Sequence, residues 1–128
     1  MASAFAIDHI VLRCTDQEAT LAWYMKHAGL APVNVDEWRA GNAFFPSLRV
    51  NDDTIIDYVA GRDPQAPNGS VDHICFVVGV DDLDGLKGDP ELTVVDEGPR
   101  SGARGTGQSI YVRDPDDLLV EFRCYPEG

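Results

Sequence analysis

The chain is short of positive charge. Its 128 residues carry 10 Lys and Arg against 22 Asp and Glu, a formal net charge of −12. Nucleic acid is excluded as a partner, because its phosphates would be repelled. The basic residues are scattered rather than clustered, which argues against an anionic membrane surface as well. No apolar run is long enough to span a bilayer, and no signal-peptide pattern opens the sequence, so the cytoplasm is the expected location. Cysteines are few and odd in number. Cys14, Cys75 and Cys124 show no CxxC spacing, and the strand-like runs around Cys75 and Cys124 predict buried, reduced thiols. A GxxxxGK[ST] phosphate loop is missing too.

What is present is the composition of an ordinary globular protein, 44% hydrophobic and 25% charged, of a length that suits one compact domain. "IDHIVLRC" at 7–14 reads as a strand, rich in β-branched residues. "TDQEATLAWYMKHAGL" follows with apolar residues at helical intervals, a capping-box spacing from Thr15 to Glu18, and Gly29 as a stop. Three more strands are expected at about Pro32–Glu37, Phe44–Val50 and Thr54–Val59, the last two joined by the turn "NDD". The Gly- and Pro-rich stretch 60–70 reads as a linker between a first module, about 5–59, and a second, about 71–125. In the second half "VDHICFVV" predicts a strand, "DDLDGLKGD" a short helix and "LTVVDE" a strand. "EGPRSGARGTGQ" at 97–108 predicts a mobile lid or rim, and "QSIYVR" and "LLVEFRCY" a hairpin around "DPDD".

The two halves share one offset. "IDHIVL" and "VDHICF" stand sixty-four positions apart, and the same shift lays "DDTIIDY" on "DDLLVEF". His9 falls on His73, Asp8 on Asp72 and Asp57 on Glu121, with no gap required. A duplicated βαβββ module explains this most simply. In strand alternation His9 shares a face with Ile7 and Val11, and His73 with Val71, Cys75 and Val77. Asp57 lies with Ile55 and Val59, and Glu121 with Leu119 and Arg123. These are polar groups among apolar neighbours, on strands expected to lie inside a sheet. A buried carboxylate is costly unless it is paired or metal-bound. A lone strand histidine is ordinarily a hydrogen-bonded core or surface residue, and a lone "VEF" glutamate ordinarily faces solvent. Two imidazoles and two carboxylates in one register instead suggest N and O donors for one divalent ion, with Zn, Ni, Mn, Fe and Co all compatible.

These features resemble the vicinal oxygen chelate superfamily, the group of glyoxalase I, fosfomycin-resistance, bleomycin-resistance and extradiol-dioxygenase proteins. The resemblance rests on the duplication, on "IDHIVL" and "VDHICF", and on the closing "SIYVRDPDDLLVEF", and it covers nearly the whole chain. It implies an α+β fold of two tandem βαβββ modules whose curved mixed sheets form a cup. It also implies that the first and last strands of each module supply metal ligands: His9, Asp57, His73 and Glu121. The glyoxalase I pattern usually has Glu at the first-module carboxylate, where this chain has the shorter Asp57. The usual "DPDGN" turn reads "DPDDL", and the second helix is cut short.

The expected activity is that of a metal-dependent lyase or isomerase of the lactoylglutathione-lyase type. It would act on a small oxygen-chelating substrate through an enediolate or oxyanion, with Glu121 favoured as base and Asp57 the alternative. Arg104 and Arg100 are the candidate holders of a substrate carboxylate or phosphate. The alternatives are an Fe(II) extradiol-type dioxygenase, for which Tyr58 or Tyr111 would serve the acid–base role, a thiol transferase of the fosfomycin-resistance type, and a drug binder of the bleomycin-resistance type. A homodimer is expected from the resemblance. Trp38, Phe44 and Phe45 fit core roles better than pocket roles.

Overall fold

Alternation along the strands decides which residues make the core. The computed structural model describes residues 2–126, and the chain divides into two compact units, Met1–Ala66 and Pro67–Gly128. The first unit runs β1 (His9–Cys14), α1 (Gln17–His27), β2 (Ala31–Pro32), α2 (Val35–Arg39), β3 (Ser47–Arg49) and β4 (Ile55–Ala60). The second runs β5 (His73–Val77), α3 (Val80–Lys87), β6 (Asp96–Gly102), β7 (Gly105–Arg113) and β8 (Leu119–Cys124). Each unit holds one mixed four-stranded sheet, ordered β1-β4-β3-β2 in the first and β5-β8-β7-β6 in the second. In each, the first strand lies parallel to the last and the remaining pairs are antiparallel. This is the α+β arrangement of two βαβββ modules.

One face of each sheet is closed by a helix, α1 on β4 and α3 on β8. Under α1 lie Leu21 and Tyr24 with Ile56 and Tyr58, all essentially inaccessible. Tyr58 meets Tyr24 with ring centroids 5.5 Å apart. In the second unit Leu83 and Leu86 of α3 join Ile110, Val112, Val120 and Phe122 in the core. Tyr58 and Phe122 are related by the same offset as the histidines. Burial of such side chains contributes about 1.5–3 kcal/mol each, so the repeat extends into the packing. Among the described residues no helix is long and apolar enough to cross a membrane.

Several expectations need correction. The strand expected at Pro32–Glu37 is two residues of β2 followed by a helix, α2. Asn34 caps the change of direction: its Nδ2 donates to Phe45 O at 3.1 Å, and its Oδ1 accepts from Ser47 N at 2.8 Å. Asp36 and Glu37 then fall in the first helical turn, where carboxylates are favoured. The cap of α1 is Asp16 rather than Thr15, with Asp16 Oδ1 accepting from Ala19 N at 3.1 Å. Gly29 ends that helix as expected, at φ +66°.

The largest difference concerns the stretch expected as a lid. Residues 97–108 form most of a regular hairpin, paired from Asp96↔Tyr111 to Gly102↔Gly105 around a two-residue turn, and 92–95 are not in a strand. Glycines here serve extended geometry rather than mobility. A Cβ on Gly107 would stand 2.7 Å from Cys124 O, so glycine allows β7 its close approach to β8. β1 and β5 are also edge strands rather than interior ones. Cys124 is buried as expected, and Cys14 is buried too, but Cys75 is exposed rather than buried.

Candidate functional site

The face of each sheet away from its helix carries the polar residues. In the first unit Val11 pairs with Asp57, and Ser47 pairs with Asp57 from the other side, so these residues share a face with His9. Asp57 is buried, and its Oδ1 accepts from Ser47 Oγ at 2.6 Å. His9 is half-exposed, with Nδ1 2.7 Å from Asp8 Oδ2. It is held above the usual histidine range chiefly by that hydrogen bond, which outweighs the lowering effect of burial, while the charges of Asp57 and Asp8 add to the rise.

The second unit repeats this plan and adds to it. His73 Nδ1 lies 2.7 Å from Asp72 Oδ2, and its Nε2 lies 3.1 Å from Glu121 Oε1. Glu121 is 2% exposed. Its Oε2 accepts from Ser109 Oγ at 2.7 Å and from Arg123 Nη2 at 2.7 Å. Burial pushes the Glu121 carboxyl up, but Ser109, Arg123 and a hydrogen bond from Tyr111 outweigh it and hold the group below the usual carboxylate range. Tyr111 stands opposite Glu121 across the β7–β8 ladder, and its ring meets that of His73 edge-on at 5.6 Å. Burial and the Glu121 charge raise the Tyr111 hydroxyl. Cys75 pairs with Glu121 on the same face. Although the residue is exposed as a whole, its sulfur sits against the Glu121–Arg123 pair, and desolvation with the Glu121 charge pushes the thiol up to about 11. That is the wrong direction for a nucleophile at neutral pH.

The two arginines expected to hold substrate differ in place. Arg100 is bound to Asp96 at 2.9 Å and stands over the Tyr111 ring at 5.6 Å, on the side that carries His73 and Glu121. Arg104 stands over the Tyr125 ring at 4.4 Å, at the hairpin turn. Tyr58 lies in the helix-facing core, so it does not share the face of His9 and Asp57. Phe44 is fully exposed and Trp38 lies on α2. Sequence reasoning missed Ser47, Ser109 and Arg123 as partners of the carboxylates. For Ser47 and Ser109 the signal is faint, since serine suits any strand. Arg123 was legible as a charge alternating onto the Glu121 face.

His73 and Glu121 fit a divalent ion. Two adjacent donors on a cation with bonds of about 2.1 Å lie roughly 3 Å apart, and Nε2 and Oε1 are 3.1 Å apart. Nδ1 is engaged by Asp72, which leaves Nε2 as the donor, the arrangement usual in metal-binding histidines. An imidazole and a carboxylate together suit the borderline transition metals.

A duplicated βαβββ module with an imidazole–carboxylate pair on the open face of each sheet defines a class of chelate-type α+β proteins. The model of the Glyoxalase/Bleomycin resistance protein/Dioxygenase superfamily matches residues 6–122, and the chain belongs to that superfamily. It is 32% identical to Glyoxalase domain-containing protein RDO1 of Mycosarcoma maydis, over 98% of this chain and 72% of that one. It is 31% identical to virulence protein STM3117 of Salmonella typhimurium, over 93% and 83% of the two chains. The crystal structure of STM3117 superposes with a TM-score of 0.74, covering 97% of this chain and 99% of that one, at 24% identity. A lactoylglutathione lyase from Agrobacterium tumefaciens shares the fold, with a TM-score of 0.64 at 20% identity over 96% of both chains.

Proposed function

We propose that this chain is a metal-dependent lyase or isomerase of the glyoxalase type, acting on a small substrate with neighbouring oxygens. The observation that supports it is the pair His73 Nε2 and Glu121 Oε1, 3.1 Å apart, each held by a partner on its other side. His9 and Asp57 form the corresponding pair of the first unit. When bound, a divalent ion supplies Lewis-acid stabilisation of negative charge developing on a substrate oxygen.

The hydrogen bonds favour a division between the carboxylates. Glu121, held ionised by Arg123 and Ser109, suits a ligand better than a base. Asp57 accepts from Ser47, and Val59 stands at the position corresponding to Arg123. Asp57 is therefore the preferred group for moving the substrate proton, although the sequence alone favours Glu121. Arg100, beside Tyr111, is the preferred partner for an anionic substrate group, with Arg104 further along the hairpin. Exposed Ile7, Val11, Val71 and Val77 on β1, β5 and the residues leading into them suit contact with a second copy, so a homodimer is part of the reading, as is a cytoplasmic location.

The test is metal content per chain in purified protein and in His73→Ala. The expected result is about one transition metal per chain, lost in the variant. No metal after resupply of Zn, Ni, Mn, Co or Fe(II) refutes the proposal. A second reading, an Fe(II) extradiol-type dioxygenase, draws on Tyr111, which lies against both His73 and Glu121 where an acid–base group would be needed. Oxygen consumption with a catechol and Fe(II)-loaded protein would favour it over the lyase.

A further inference from the structure

We propose that Arg123 is a positioning residue that fixes Glu121 to present a single oxygen, Oε1, to the metal. The inference rests on the metal-binding reading above and deepens it. Arg123 is 4% exposed, a rare state for arginine that requires satisfied partners. Nη2 donates to Glu121 Oε2 at 2.7 Å and to Ser101 O at 2.8 Å, and Nη1 donates to Tyr125 Oη at 3.3 Å. Tyr125 Oη is in turn anchored by Arg104 N at 3.2 Å. A carboxylate oxygen has about two lone-pair sites, and on Oε2 they are taken by Arg123 and Ser109. Oε1 is the oxygen left on the His73 side, which makes Glu121 a one-oxygen ligand.

The hairpin is shaped around this guanidinium. A Cβ on Gly102 would fall 1.8 Å from Arg123 Nη1, so glycine at the end of β6 leaves the space that Arg123 occupies. The first unit has no counterpart, because Val59 stands sixty-four positions earlier. Arg123 therefore distinguishes the two carboxylates within the duplicated plan. Glu121 is clamped from behind, whereas Asp57 lacks a cation at the equivalent place.

The experiment titrates Co(II) into metal-free wild type, Arg123→Met and Arg123→Lys, reading the visible absorption band and the dissociation constant, with thermal melting to show that each is folded. Arg123→Met is expected to weaken Co(II) binding about 10-fold or more, and to change the band as Oε2 is freed to coordinate. Arg123→Lys keeps the charge and should recover part of the affinity. If the methionine variant does not fold, the lysine variant decides, with an expected loss of several-fold because one ammonium cannot reproduce the fork of bonds. A folded variant, methionine or failing that lysine, with wild-type affinity and an unchanged band overturns the role of Arg123 and leaves the metal reading standing. Wild type that binds no Co(II) overturns both.

Discussion

Replacing Gly102 with alanine tests from a distance whether the Arg123 clamp exists. Gly102 does not have a positive φ, so alanine meets no backbone obstacle there. The obstacle is space. A Cβ would stand 1.8 Å from Arg123 Nη1, 2.6 Å from its Cζ and 2.6 Å from Tyr125 Oη. A guanidinium is the end of a flexible side chain and would ordinarily move aside. Here it is buried and tied to Ser101, Glu121 and Tyr125, so moving means breaking those bonds. Overpacking costs about 1–3 kcal/mol, and stranding one member of a buried ion pair about 3–5 kcal/mol. Ser109 keeps its hold on Glu121, so the expected loss is near the lower end of the second range, about 3 kcal/mol. The measurement is urea unfolding, with a lower midpoint at unchanged slope. Its decisive arm is the same change made in Arg123→Met. There the clash with the guanidinium is gone and the contact with Tyr125 Oη remains, so the cost should fall to less than half. An equal cost in both backgrounds would refute the reasoning, because it would show that Gly102 is needed for something other than room for Arg123.

Other outcomes follow from single features. Gly85→Ala, inside α3 with open space around its Cβ and no positive φ, should stabilise the protein by about 0.5–1 kcal/mol in the same assay; destabilisation would mean that α3 is not an ordinary helix there. Cys75, with its thiol pushed up to about 11, should resist iodoacetamide. At pH 8 roughly one thiol in a thousand would be ionised, against about a quarter for an ordinary cysteine near 8.5. A raised value means that the reactive thiolate appears only as pH climbs, so labelling should quicken about tenfold per pH unit through pH 10. A plateau near pH 9 would contradict the placement of Cys75 against Glu121.

The duplication was legible because it leaves a signature that one offset brings into register. The α+β class, the strand–helix–strand–strand–strand order and the paired His and carboxylate positions all follow from it. What the offset could not show is where the halves differ. The first unit inserts α2, and the cue "VNVDEWR" reads as a strand by its valines and as a helix start by its Asn and acidic residues. Tertiary bonds from Asn34 to Phe45 and Ser47 settle it as a helix. In the second unit, composition misled more strongly. "GPRSGARGTG" has the residues of a loop, but glycine is equally required where two strands and a guanidinium crowd together, as at Gly107 and Gly102. Composition cannot tell room for motion from room for a neighbour. The partner that needs the room is far off in sequence.

The same comparison bears on how a duplicated site divides its work under the proposed function. Corresponding positions hold Ser47 and Tyr111, Asp57 and Glu121, Val59 and Arg123. The second unit surrounds its carboxylate with more partners: Tyr111 opposite it, where Ser47 serves Asp57, together with Ser109 from the neighbouring pair and Arg123 behind it. A metal ligand benefits from staying ionised and fixed, whereas a base must accept a proton and release it, which a strong cationic partner opposes. Two carboxylates in identical surroundings would serve one purpose twice. Arg123→Met should accordingly damage metal binding, while Asp57→Asn should leave the second unit's ligand pair intact and remove the proton-moving group.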